Sequence, residues 1–335
     1  MSRVPRLGLL LVAAIAGGIG LIFLTSQAEP VDAVDLVRGR LGVPLESSRI
    51  ATNGIELHVV QAGPADGPPV VLLHGFPEFW MAWAGQIEPL ARAGFRVIVP
   101  DQRGHNASDK PAALAAYRME ELERDVLGLL DALGHERAYL AGHDLGSWVS
   151  WHLLIFHPER FERAVIFNSG HPQGPSDGAP EEGEEEKIGW HRTLARIPYL
   201  PEIVSRTGNW ALPTSVLRDT SRAGTFDDET MAAYRYAWHR DHSITSMANW
   251  MRAWNEHPRV LPEPAPIALP VRLIWGLEDA FIDLDDPAPS LALLEQGEVV
   301  EIPGVGHWLL NEDAARTSEL MIEFFTRDQV GGSER

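Results

Sequence analysis

No cysteine occurs anywhere in the 335 residues. That absence excludes a disulfide framework, a thiolate nucleophile and any metal held by cysteine sulfur. Positive charge is also scarce: Lys and Arg total 28 against 47 Asp and Glu, a net charge of −19. With no basic stripe to neutralise phosphates, nucleic acid is excluded as a partner. Internal repeats are missing. So is a serine-esterase elbow, because the only Gly-x-Ser-x-Gly string, Gly174–Gly178, runs into an acid-rich loop instead of a helix. Long uncharged apolar runs are confined to Leu7–Leu24, preceded by Arg3 and Arg6. This run falls at the short end of the roughly 17–25 residues that cross a bilayer. The expectation is a membrane anchor over residues 1–28, with the folded part outside the cytoplasm. Cleavage after Ser26-Gln27-Ala28, giving a secreted or periplasmic chain, is the alternative.

What is present is a succession of short buried strands and helices. Apolar residues at 45% suffice for a full core. After a linker over residues 29–47, with a short amphipathic helix within Val31 to Leu41, Asn53-Gly54 marks a hairpin between Arg49–Thr52 and Ile55–Gln61. Val70–Gly75, Phe95–Asp101, Arg137–Ala141 and Arg163–Asn168 read as strands buried on both faces, and helical stretches such as Phe79–Ala93 and Met119–Leu133 alternate with them. The fold class is therefore α/β, with a mostly parallel sheet flanked by helices. From His171 to Pro264 the pattern changes to an acid-rich loop (Gly174 to Lys187) and tryptophan-rich helical segments carrying Trp190, Trp210, Trp238, Trp250 and Trp254. Strands resume at Val271–Gly276 and Gly297–Ile302, followed by a closing helix over Leu309–Thr326. The expected division is a first core part over 48–170, an inserted helical lid over 171–264, a second core part over 265–327 and a tail over 328–335. The tryptophans of the insert read as its core more than as ligand contacts.

The chain is organised around Gly142-His143-Asp144-Leu145-Gly146, between an apolar strand and an apolar helix. Small residues two places on either side of a reactive side chain are what a sharp strand-to-helix elbow requires. Aspartate, where serine is usual, changes the chemistry. A carboxylate displaces a leaving group from saturated carbon and leaves an alkyl ester on the protein, which water must then hydrolyse with a base and an oxyanion hole. Gly-x-Asp-x-Gly alone also occurs in turns and calcium loops, so the other loops have to decide. At the carboxyl edge of a parallel sheet, where functional groups gather, the sequence also places His74-Gly75-Phe76-Pro77, the acids Glu278 and Asp279, and His307 in Gly304–Trp308.

Together these motifs resemble the α/β-hydrolase superfamily, specifically its epoxide hydrolase and haloalkane dehalogenase group. Asp101-Gln102-Arg103-Gly104-His105 with Ser108-Asp109, Trp275–Asp279 and Gly306-His307-Trp308 match as well, and the resemblance spans residues 48–327. It implies Asp144 as nucleophile, His307 as the base that activates water, and Asp279 as its acid partner, with Glu278 the second choice. It implies backbone N–H groups of Phe76 and Leu145 as the oxyanion hole, and Pro77, Met251 and Trp308 in the substrate pocket. His74, His143 and Arg103-Gly104 read as structural.

The resemblance also separates two leaving groups. Haloalkane dehalogenases place indole or amide N–H donors where this chain has Leu145 and Phe76, whose side chains donate nothing. Fluoroacetate dehalogenases carry arginines just after the nucleophile, and Ser147–Ser150 supply none. Epoxide hydrolases use two lid tyrosines to protonate the ring oxygen. This chain departs from that pattern: Asn249-Trp250-Met251-Arg252 puts methionine at the second tyrosine, and the register puts His191 at the first. His191, Tyr234 and Tyr236 are the expected proton donors, with Tyr199 a further candidate. The reading is a hydrolase that opens epoxides to vicinal diols through an aspartyl ester, needing neither cofactor nor metal and acting on a small apolar molecule. Its alternatives are a carbon–halide hydrolase and, from another class, a noncatalytic ligand-binding scaffold.

Overall fold

The computed structural model describes residues 31–173, 200–282 and 287–327. An eight-stranded sheet in the order β1-β2-β4-β3-β5-β6-β7-β8 forms its centre. β1 (Leu45–Thr52) and β2 (Ile55–Ala62) form the antiparallel hairpin turned by Asn53 and Gly54, both at positive φ (41° and 75°). β2 also runs antiparallel to β4 (Arg96–Pro100). The rest is parallel: β3 (Pro69–Leu73), β5 (Ala138–His143), β6 (Phe161–Phe167), β7 (Val271–Gly276) and β8 (Gly297–Ile302). Val70 to Leu73 and Val97 to Val99 are wholly shielded from water, as strands covered on both faces must be.

Two apolar layers cover the sheet. One holds α2 (Ala84–Arg92) and the C-terminal helix, and the other holds α3 (Met119–Ala132) and α4 (Leu145–Phe156). α3 turns Leu122, Val126, Leu129 and Leu130 inward and ends at Gly134, whose φ of 78° fits the left-handed cap that only glycine adopts freely. α1 (Ala33–Arg38) lies within the expected amphipathic stretch and is capped by Asp32. The helix expected over Phe79–Ala93 is a 3-10 turn at Trp80–Trp83 followed by α2.

Between β6 and β7 the described residues form α5 (Leu200–Arg206), α6 (Ala211–Asp219), α7 (Asp228–His239) and α8 (Ser243–Glu256). Trp210 and Trp238 are fully buried in the layer that also holds Tyr234, and Trp250 is buried in the opposite layer. Beyond β7 come α9 (Ala288–Leu291), α10 (Leu309–Glu312) and α11 (Ala314–Thr326). The last two replace the single closing helix expected over Leu309–Thr326, because Asp313 leaves the helical conformation and its carboxylate caps α11 at the Arg316 N–H.

The expected membrane attachment requires correction. Among the described residues no helix is long and apolar enough to cross a membrane. α3 and α8, at 14 residues each, reach about 21 Å at 1.5 Å per residue, short of the ~30 Å hydrocarbon core. Residues 1–28, where the anchor was expected, lie outside the described residues.

Candidate active site

All the loops of interest leave the carboxyl ends of β3, β5, β6, β7 and β8, around the place where the strand order reverses. The tightest is the elbow. Asp144 joins β5 directly to α4 with φ 51° and ψ −122°, a strained conformation for a residue with a side chain. A Cβ at Gly142 would overlap Ser150 Oγ and the Gly146 carbonyl, and one at Gly146 would overlap the carbonyls of Leu73 and His74. A Cβ at Gly75 would fall on the Asp144 carboxyl group itself. These glycines let the backbone close around one partly buried carboxylate. Ser147 fixes the turn by donating its hydroxyl to the Gly142 and Phe167 carbonyls (2.8 and 3.0 Å).

Each oxygen of Asp144 has a different neighbour. Oδ1 accepts the Phe76 N–H at 2.7 Å, while Oδ2 faces His307 Nε2 at 3.7 Å. Leu145 opens α4, where the first N–H groups have no partner within the helix. On its other side, His307 Nδ1 donates to Asp279 Oδ2 at 2.8 Å. Asp279 is held in turn: Oδ1 accepts the N–H groups of Phe281 and Ile282 (2.8 and 3.0 Å), and Oδ2 also accepts Asn168 Nδ2 at 2.6 Å. Glu278 is exposed, so of the two acids only Asp279 meets the histidine.

Electrostatics follow from this arrangement. Burial disfavours a charged His307 ring, yet Asp279 overcomes it and, with help from Asp144 and Glu78, lifts the ring to about 9. Burial would raise the Asp279 carboxyl, but His307 and the two backbone N–H groups hold it below its ordinary value.

Glu78 and Asn168 were not legible as site residues. Glu78 is buried beside the Phe76–Pro77 turn, with Oε2 3.2 Å from His143 Nδ1 and Oε1 accepting the Tyr234 hydroxyl at 2.9 Å. His143 donates Nε2–H to the His307 carbonyl at 2.8 Å, so this acid, the histidine before Asp144 and the His307 backbone form one buried chain of contacts. An acid inside the aromatic run Phe76-Pro77-Glu78-Phe79-Trp80 was the available signal.

The other expected residues divide. Tyr234 is fully buried; burial, then the Glu78 carboxylate, pushes its hydroxyl well above the ordinary tyrosine range. Tyr236 is half-buried under the Arg240 guanidinium, 5.3 Å from the ring centroid. Pro77 accepts the Trp238 indole N–H at 2.6 Å. Trp308 is buried edge-on to the His307 ring, with centroids 4.8 Å apart, and donates to Thr220 Oγ1 at 2.8 Å. Met251 is buried on α8. His191 and Tyr199 lie outside the described residues. A narrow apolar recess of about 10 Å³ adjoins the elbow, lined by Leu145, Trp148, Tyr117, Leu122, Trp250 and Trp254. Trp148 and Trp254 close one side of it, with ring centroids 4.1 Å apart.

His74 and the Asp101–Asp109 motif are scaffolding. His74 Nε2 accepts the Gln102 N–H (3.1 Å), Asp101 accepts the Trp80 N–H (3.0 Å), and Arg103 pairs with buried Asp125 (2.6 Å). Among the described residues no cluster of His, Asp and Glu could hold a metal ion.

The sheet order and the strand-to-helix elbow define the class, a hydrolase of α/β architecture. Residues 68–314 match the alpha/beta hydrolase fold family. AB hydrolase superfamily protein YfhM of Bacillus subtilis is 35% identical over 275 residues, which cover 82% of this chain and 96% of that one. Epoxide hydrolase A of Mycobacterium tuberculosis is 31% identical over 321 residues, covering 85% and 98%. Among solved structures, Cfl2 from Burkholderia cenocepacia superposes with a TM-score of 0.75 at 27% identity, covering 84% of this chain and 96% of that one. The chain belongs to the α/β-hydrolase family, in its epoxide hydrolase-like group, and is an enzyme.

Proposed function

We propose that this enzyme opens epoxides to vicinal diols through an ester on Asp144. The observation that carries the reading is the unequal setting of the two carboxylate oxygens. Oδ1 is already bound by the Phe76 N–H, while Oδ2 points toward His307 without a close partner. Oδ2 attacks one ring carbon, the C–O bond breaks, and the ring oxygen leaves as an alkoxide that takes a proton from the enzyme. Oδ1 becomes the ester carbonyl. His307 then removes a proton from water, the hydroxide adds to the Asp144 carbonyl carbon, and the developing oxyanion on Oδ1 stays at the Phe76 N–H, with Leu145 N–H as second donor. Collapse breaks the bond to the substrate oxygen, which takes the proton held by His307 and leaves as the diol, and the acid left on Asp144 loses its proton to solvent to restore the carboxylate. Asp279 fixes the His307 tautomer and stabilises the imidazolium.

Ester formation also prepares the base. Resting His307 is held charged by Asp279 and Asp144 together. Alkylation removes the Asp144 charge, which lowers the affinity of the ring for its proton and favours its release to solvent before water is activated.

Of the donors expected from sequence, the ring-opening proton is assigned to His191. Tyr234 would have to leave Glu78 to serve, and Tyr236 would act from its place under Arg240.

The test is the mass of a trapped intermediate. His307→Gln should form the ester and hydrolyse it slowly. After mixing with styrene oxide, the peptide containing Asp144 is expected to gain the whole epoxide mass. A gain of only the alkyl group from a bromoalkane, with bromide released and no epoxide adduct, would replace the reading with carbon–halide hydrolysis. No adduct from either, in folded protein, would remove Asp144 as nucleophile.

A further inference from the structure

We propose that Asn168 is a positioning residue of the catalytic group: its amide locks Asp279 and the turn before His307 to the end of β7, and shares with His307 the charge on Asp279 Oδ2. This rests on the proposed roles of Asp279 and His307.

Asn168 follows β6 with φ 45°, in the left-handed region that asparagine tolerates better than most residues, and is wholly buried. Its backbone N–H extends the β6–β7 ladder to the Ile274 carbonyl at 3.0 Å. The side chain then uses both of its donors and one acceptor position. Oδ1 accepts the Gly276 N–H at 2.9 Å, while Nδ2 donates to Asp279 Oδ2 at 2.6 Å and to the Gly306 carbonyl at 3.3 Å. Only this amide orientation works, because the reverse would set a carbonyl against a carboxylate. One side chain therefore ties the last residue of β7, the acid, and the residue before the histidine. These arise from separate loops, and among the described contacts Asn168 alone joins them with one group.

The shared oxygen has an electrostatic consequence. Asp279 Oδ2 receives both His307 Nδ1–H and Asn168 Nδ2–H, so a neutral donor absorbs part of the charge that would otherwise act on the imidazolium. The other charged or titratable groups facing His307 come from every packed loop. They are Asp144 at the elbow, Glu78 after β3 and His143 at the end of β5, while Glu312 of α10 instead accepts the N–H of neighbouring Gly306 at 3.0 Å. None of these changes when residue 168 is replaced. Removing the amide strengthens the hold of Asp279 on the ring proton, so His307 becomes harder to deprotonate and the hydrolytic step needs a higher pH.

The experiment is an NMR titration of His307 in the full chain, assigned against His307→Gln, for wild type and Asn168→Gly. Glycine removes the amide and accepts the positive φ, so backbone strain is not introduced. The His307 midpoint is expected to rise by on the order of one pH unit, and the pH profile of ester hydrolysis to move the same way. An unchanged or lower midpoint, even with reduced turnover, overturns the proposal and leaves Asn168 a packing residue. Should Asn168→Gly fail to fold, the wild-type protein supplies the second measurement. The Asn168 side-chain amide resonances are expected to shift with the His307 midpoint, and resonances that stay flat across it overturn the proposal. The titration needs no substrate, so failure of every epoxide to react would remove the proposed reaction without touching this result.

Discussion

Glu78 and Tyr234, 156 positions apart in the chain, meet in a buried hydrogen bond of 2.9 Å between carboxylate and phenol. It joins the helical insert to the loop that carries the Phe76 N–H, and it occupies the hydroxyl that sequence reading offered as a proton donor. Tyr234→Phe would strip the carboxylate of this donor, and leaving a buried charged group short of a partner costs about 1–3 kcal/mol. The expected outcome is a stability loss of that size by chemical denaturation, with the single-turnover rate of ester formation kept within about threefold, as for a residue outside ring opening. A rate loss of a hundredfold or more would make Tyr234 the acid after all.

His307→Gln tests the charge on the ring through stability. The folded-state value of about 9 lies above the unfolded value near 6.5. The stabilisation is therefore complete below about 6.5 and is lost as pH rises from there through about 9. Denaturation midpoints of wild type should fall across that window more than those of His307→Gln. Parallel curves would mean that the ring is not held charged.

Gly146→Ala introduces a Cβ into the Leu73 and His74 carbonyls, backbone atoms that cannot rotate away. Overpacking of this kind costs about 1–3 kcal/mol. The expected variant melts lower and forms ester slowly, because relief of the clash shifts α4 and turns Asp144 away from the Phe76 N–H. A melting temperature equal to that of wild type would contradict the elbow geometry.

Trp148→Ala opens the recess beside Leu145. Preference for a bulky aryl epoxide over a small aliphatic one, measured as a ratio of kcat/KM values, should rise about tenfold. An unchanged ratio would place the substituent elsewhere.

What could be read beforehand was what short segments determine for themselves. The buried strands, the Asn53-Gly54 turn and the elbow were legible because Val and Ile runs, a left-handed pair and flanking glycines act within a few residues of one another. The pairing of His307 with Asp279 rather than Glu278 needed a family spacing, since two adjacent acids look alike until the loop shows which one is exposed. Asn168 read only as the end of a strand. Its partner Asp279 lies 111 positions away, and no local pattern marks an amide whose meaning depends on where three other loops arrive. The break at Asp313 was missed for the opposite reason. The apolar periodicity carries straight through it, and only the capping carboxylate stops the helix.

Two indoles moor the insert to the core through backbone atoms. Trp238 donates to the Pro77 carbonyl at 2.6 Å, and Trp250 to the Arg103 carbonyl at 2.8 Å. Pro77 is the neighbour of Phe76, whose N–H grips Asp144, so the same few atoms of main chain are held from above by the insert and from below by the nucleophile. Lifting the insert as a unit would have to break these two bonds or pull on the Phe76–Pro77 turn. Under the proposed roles of Phe76 and Asp144, loosening the insert at this mooring would also loosen the Phe76 N–H from the carboxylate, so movement of the insert and the geometry of the proposed hydrolytic step would share one mechanical coordinate.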